Sequence, residues 1–86
     1  MNEKEMEKIL EEIKELLKYK NKNYGDKNII KMGMLGVLNR IEEKIERLKN
    51  MIEKNIEDKE SKEDSWKDII GFGIIGIMLE RDKWQI

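Results

Sequence analysis

Apolar residues recur at helical spacing in three stretches of the chain. Met6, Ile9, Leu10, Ile13, Leu16 and Leu17 fall within an arc of roughly 120° at 100° per residue, with Glu and Lys around the rest. This predicts an amphipathic helix over about 2–19. The polar run Lys20-Asn21-Lys22-Asn23-Tyr24-Gly25-Asp26 then breaks the period, and its Asn and Gly residues suit a turn. A second helix is expected over about 28–56, with Met34, Val37, Leu38, Ile41, Ile45, Leu48 and Ile52 as its apolar stripe. The charged stretch Ile56–Lys62 loses the period again. Ser61-Lys62-Glu63-Asp64 resembles a capping box with Asp in place of Glu, so the third helix is expected over about 62–83.

The third segment differs in kind from the first two. From Ile69 to Leu79 every residue is apolar or Gly, which leaves no polar face over about three turns. A helix that is hydrophobic all round must be covered all round, and two further helices from so short a chain hardly enclose it. The expected architecture is therefore all-α: one domain spanning residues 1–86, three main helices per chain, and a bundle completed by homo-oligomerisation. Small size favours the same remedy. Gly33, Gly36, Gly71, Gly73 and Gly76 each cost a helix roughly 0.5–1 kcal/mol relative to Ala. Close helix–helix approach offsets that cost, or else Gly33 and Gly36 mark a break between a short helix and a longer one.

Composition narrows the function classes. The chain has 86 residues with 18 basic and 19 acidic side chains, so no broad electrostatic attraction to nucleic acid follows and no direct reading of DNA is expected. Without Cys there is no disulfide, thiolate ligand or thiol nucleophile. Without His the usual general base and commonest transition-metal ligand are missing. The apolar run at 69–79 is too short to cross a bilayer, and Met1–Ile9 is charged throughout, unlike a secretory signal. The expected location is the cytoplasm, with no membrane partner.

Candidate chemistry lies on two helix faces. Arg40, Glu43, Lys44 and Arg47 share one face of the second helix, beside its apolar stripe. Asp64 and Asp68 align on the third. Antiparallel packing of the two helices brings these faces together at the edge of the core. In a chain with 43% charged residues, the same spacing equally describes a solvated face. In the turn, Tyr24 can stack on a nucleobase with Lys20 or Lys22 near a phosphate, or simply anchor the turn against a neighbouring helix. Trp66 and Trp84 read as packing residues.

Three stretches together carry a family resemblance: Tyr19-Lys20-Asn21-Lys22-Asn23-Tyr24-Gly25-Asp26, then Arg40-Ile41-Glu42-Glu43-Lys44-Ile45-Glu46-Arg47-Leu48, then Glu60-Ser61-Lys62-Glu63-Asp64-Ser65-Trp66-Lys67-Asp68. Over about residues 15–80 the chain resembles a nucleotide modification associated domain, a small helical family frequent in phages and related to the MazG-like all-α NTP pyrophosphatases. The resemblance implies a MazG-like bundle in which acidic pairs on two helices hold Mg²⁺ for hydrolysis of nucleoside triphosphates. Mg²⁺ is a hard cation that takes oxygen ligands and bridges substrate phosphates, which suits carboxylates. Carried over, Glu43 and Glu46 stand in the first acidic motif and Asp64 and Asp68 in or beside the second. Arg40, Lys44 and Arg47 become phosphate contacts, with Tyr24 and Lys22 beside the base and its phosphates. The chain departs from the pattern at Asn23, which replaces an Asp, at Gly71, which replaces an Asn, and at Phe72, which replaces a Tyr.

Two main expectations follow. One is a phage-type nucleotide-binding protein with Mg²⁺-dependent pyrophosphohydrolase activity. The other is a non-catalytic anti-defence protein that sequesters a nucleotide signal or inhibits a host protein through its helical surface. Loss of carboxylates alongside retention of basic residues tilts the balance toward binding over hydrolysis.

Overall fold

A computed structural model describes residues 1–84. Among these residues the chain forms helices α1 (Glu3–Tyr24), α2 (Asp26–Glu53) and α3 (Lys59–Glu80), with no strand. None of these helices is long and apolar enough to cross a membrane.

Helix α1 starts at Asn2, whose side chain accepts the Glu5 N–H at 3.0 Å, satisfying one of the amides a helix leaves free at its start. It then runs through the stretch expected to be a turn. Lys20 to Tyr24 are helical, and the reversal is confined to Gly25, whose φ of 77° needs no side chain and whose N–H bonds to Asn21 O at 2.7 Å. Lys and Asn tolerate a helix interior, and Lys20 gains a tertiary partner by staying in it.

Gly33 settles one open alternative. Its φ of 70° and ψ of 177° interrupt α2, leaving a short first piece and a long second one. Gly36, by contrast, is a close approach within the chain: a Cβ there runs into the Met32 side chain. Helix α3 begins earlier than the Ser61 box implies. Asp58 is its N-cap, accepting the Ser61 N–H at 3.0 Å and the Ser61 hydroxyl at 2.8 Å. Ser61 is thus a donor to the cap. Asp is among the strongest capping residues, and its position two residues upstream of Glu60 lengthens the helix by a turn.

Helices α2 and α3 form the main interface, with α1 laid against both. The core is small. Ile29, Val37 and Ile75 are buried at its centre, with Leu17, Ile41 and Phe72 packed onto them, while Ile13, Leu48 and Met51 are buried elsewhere along the helices. Leu17 Cδ2 would sit 3.2 Å from a Cβ at Gly71, so the absent side chain lets α1 approach α3 closely. The predicted stripe on α2 is wider than the chain can cover. Val37 and Leu48 are buried, but Leu38, Ile45 and Ile52 remain exposed.

The two tryptophans part company. The Trp84 indole N–H donates to Asp26 O at 3.0 Å, tying the segment after α3 to the start of α2. Trp66 is 56% exposed, so within one chain it is not the packing residue that the sequence reading expects.

Candidate ligand pocket

The end of α1, α2 from its start to Lys44, the middle of α3 and Trp84 line a partly open cavity of about 460 Å³. Its walls are largely apolar, contributed by Leu17, Ile29, Met32, Phe72, Ile75 and Trp84. Its charged lining comprises Lys20, Arg40, Lys44 and Lys67 against Glu43 and Asp68, an excess of positive charge.

Asp68 is the centre of that polar side. Lys20 Nζ lies 2.9 Å from one carboxylate oxygen and Lys44 Nζ 3.1 Å from the other. The antiparallel approach of the α2 and α3 charged faces is therefore present, through Lys44 and Asp68. Burial by itself raises the Asp68 pKa; the hydrogen bonds from Lys20 and Lys44 outweigh it and hold the carboxyl below its ordinary value. Around this group Arg40 pairs with Glu43 at 3.2 Å, and Lys67 with Glu12 at 3.2 Å. The hydrogen bond to Glu12 is the main reason the Lys67 pKa is raised. The Asn21 side chain also lines the cavity, and its amide oxygen is buried without a hydrogen-bond partner. Such an orphan acceptor carries a desolvation cost that a ligand N–H donor relieves once the amide turns about its soft terminal torsion.

Of the residues singled out from the sequence, Arg40, Lys44, Glu43, Asp68 and Tyr24 line this cavity. Tyr24 ends α1 and is exposed at its rim. Arg47 and Lys22 do not line it and are exposed. Arg47 instead adds its field to Asp58, whose pKa is lowered chiefly by the Ser61 backbone and side-chain hydrogen bonds. Of the two lysines offered for a phosphate, Lys20 lines the cavity and Lys22 does not. Once α1 continues to Tyr24, Lys20, Asn21 and Tyr24 share a face, while Lys22 is turned away from it.

The carboxylates do not make a Mg²⁺ cage. Among the described residues no three Asp or Glu side chains stand where they could share a metal ion. Asp68 spends both oxygens on ammonium groups and Glu43 faces Arg40. Asp64 is exposed and outside the cavity lining, and Glu46 lies in a separate shallow hollow with Asn39, Glu42 and Glu43. A hard divalent cation needs oxygens that are free to turn toward it, and this donor set does not fit.

Lys67, Asn28 and Trp84 belong to the cavity without having been marked in the sequence as site residues. Nothing in their spacing separates Lys67 and Asn28 from the many other Lys and Asn residues; only the crossing of the helices does, and Trp84, read as a packing residue, is brought to the wall the same way. Compared with protein-family models, with curated proteins and with solved structures, the chain finds no match among any of the three.

Proposed function

We propose that this chain binds a phosphate-bearing nucleotide or nucleotide-derived ligand without hydrolysing it. The observation that carries the reading is the cavity, with apolar walls at one side and Lys20, Lys44, Arg40 and Lys67 at the other. That polarity suits a ligand with a flat apolar body and an anionic end, since ammonium and guanidinium groups bind phosphate oxygens through charge-assisted hydrogen bonds. Tyr24 at the rim and Phe72 in the wall offer ring faces to a base. The resemblance to nucleotide modification associated domains supplies the reason to favour a nucleotide over another amphiphilic anion. Binding without turnover follows from the carboxylate arrangement: catalysis of the MazG-like kind needs converging free acids, and here the central acid is neutralised by two lysines.

On this reading the chain is a MazG-like bundle turned to sequestration, acting in the cytoplasm, of a host cell if it is phage-encoded. Its exposed apolar residues on α2 and α3 support assembly into a homo-oligomer.

The test is to incubate the protein with nucleoside triphosphates and cyclic nucleotides in the presence of Mg²⁺. Both the solution and the material released by heating the protein are then chromatographed. Unchanged nucleotide recovered from the heated protein is the expected result. Monophosphate and pyrophosphate in solution would establish the hydrolase instead, and neither capture nor turnover would leave only a protein partner.

A further inference from the structure

Every cation that lines the cavity is already held by a carboxylate of the same chain. Asp68 takes Lys20 at 2.9 Å and Lys44 at 3.1 Å, Glu43 takes Arg40 at 3.2 Å, and Glu12 takes Lys67 at 3.2 Å. Set against these four cations, the three carboxylates leave an excess of one positive charge among the described residues. Glu63, 3.9 Å from Lys67, reduces it further. The pairs differ in how well water screens them. Arg40 and Glu43 are both more than half exposed, whereas the Asp68 side chain is 13% exposed and sits where charges are felt more strongly. The cavity thus offers many N–H donors and little net positive charge.

We infer that the anionic part of the ligand is a single phosphodiester with one negative charge, as in a cyclic mononucleotide or a dinucleoside monophosphate, and that the cavity disfavours nucleoside di- and triphosphates; this rests on the nucleotide-binding reading above and specifies the charge class of its ligand. An ammonium group has three N–H donors. Lys20 and Lys44 each spend one on Asp68, so donors remain free on both. A phosphodiester has two non-bridging oxygens, one for each lysine, and its one charge cancels the excess. Further phosphates meet no uncompensated cation, because Arg40 has Glu43 beside it and Lys67 has Glu12. A polyphosphate seated on Lys20 and Lys44 also starts beside the carboxylate those lysines hold, and a half-buried site screens that repulsion poorly. Sites for polyphosphates commonly recruit Mg²⁺ through carboxylates to offset the charge, and among the described residues no three acids could share one.

Isothermal titration without Mg²⁺, at one ionic strength, tests this. The probes are the 3′,5′-cyclic monophosphates and the 5′-mono-, di- and triphosphates of adenosine, guanosine, cytidine and uridine. ApA and UpU present the same phosphodiester on a linear backbone, and whichever form binds tighter identifies its source. For the base the native chain accepts, the phosphodiester is expected to bind about tenfold or more tighter than the triphosphate. Glu43→Gln uncovers the charge of Arg40 at an exposed pair, away from the core. An added positive charge favours each ligand in proportion to the ligand's own charge, so the variant is expected to narrow that gap by about tenfold with its helical circular dichroism unchanged. A triphosphate that binds the native chain as tightly as the phosphodiester would overturn the charge limit and leave the nucleotide reading in place. A gap that Glu43→Gln does not move would assign the preference to shape and overturn the inference as well. No binding of any of these compounds would remove the nucleotide reading itself, and the charge limit with it.

Discussion

Lys44 Nζ lies 3.1 Å from Asp68 Oδ2, and the other oxygen of the same carboxylate is held by Lys20 at 2.9 Å. Lys20 belongs to α1, Lys44 to α2 and Asp68 to α3, so a single carboxylate bonds all three helices. It also sets two of the cations that line the cavity. Asp68→Ala leaves both ammonium groups without this partner. The expected loss of stability is about 1–3 kcal/mol, held toward the lower end because Lys20 is nearly half exposed. Urea unfolding of the two proteins measures it.

Acid tests the same group without mutation. The folded-state pKa of Asp68 lies below its unfolded value, despite burial, because of the Lys20 and Lys44 hydrogen bonds. The folded protein therefore binds this proton less readily than the unfolded chain does. The resulting stabilisation is complete above the ordinary carboxylate range and is lost as pH falls below about 4 and through the folded-state pKa. Native stability should decline in that window, and Asp68→Asn should show a smaller decline from the same starting buffer.

Gly33 is held at a φ of 70° and a ψ of 177°, a combination essentially confined to glycine that costs a residue with a Cβ on the order of 1–3 kcal/mol. No atom crowds a Cβ there, so the cost of Gly33→Ala comes from backbone strain alone. The expected destabilisation is about 1–3 kcal/mol, read from the thermal midpoint. An unchanged or raised midpoint would mean that α2 runs straight through this position.

Trp84→Phe removes the indole N–H that reaches Asp26 O at 3.0 Å while keeping an aromatic ring in the cavity wall. The cost should be about 0.5–1.5 kcal/mol. Hydrogen exchange should quicken in the first turn of α2 and after Glu80, and stay unchanged near the α2–α3 connection.

Helices α1 and α2 are legible from apolar spacing because each carries a core face at helical period, whereas α3 is legible from its capping signal and the length of its unbroken apolar run. Their ends were less so. The polar run at 20–24 has turn composition, yet a single glycine suffices to reverse the chain, and the Lys20–Asp68 contact keeps the preceding residues helical. Two capping residues compete at the start of α3, and spacing does not separate them: Asp58 takes both Ser61 donors and so sets the earlier start. For the site, a face shared by Arg40, Glu43 and Lys44 could be drawn from α2 alone. That Lys44 meets Asp68 and Arg47 does not is a matter of where the helices cross, which no periodicity encodes. The carboxylates named for a metal illustrate the same limit: shared motif spacing says nothing of whether a lysine has already claimed the oxygen.

The central claim is that the cavity beside Arg40 and Lys44 receives a nucleotide. Isothermal titration of the native chain, Arg40→Ala and Arg47→Ala with nucleoside triphosphates and cyclic nucleotides tests it most directly. Arg40 lines the cavity and Arg47 does not. Saturable binding by the native chain should weaken by about tenfold or more in Arg40→Ala, the worth of one charge-assisted contact, and persist in Arg47→Ala. No binding by the native chain, or equal loss in both variants, would contradict the assignment of this cavity.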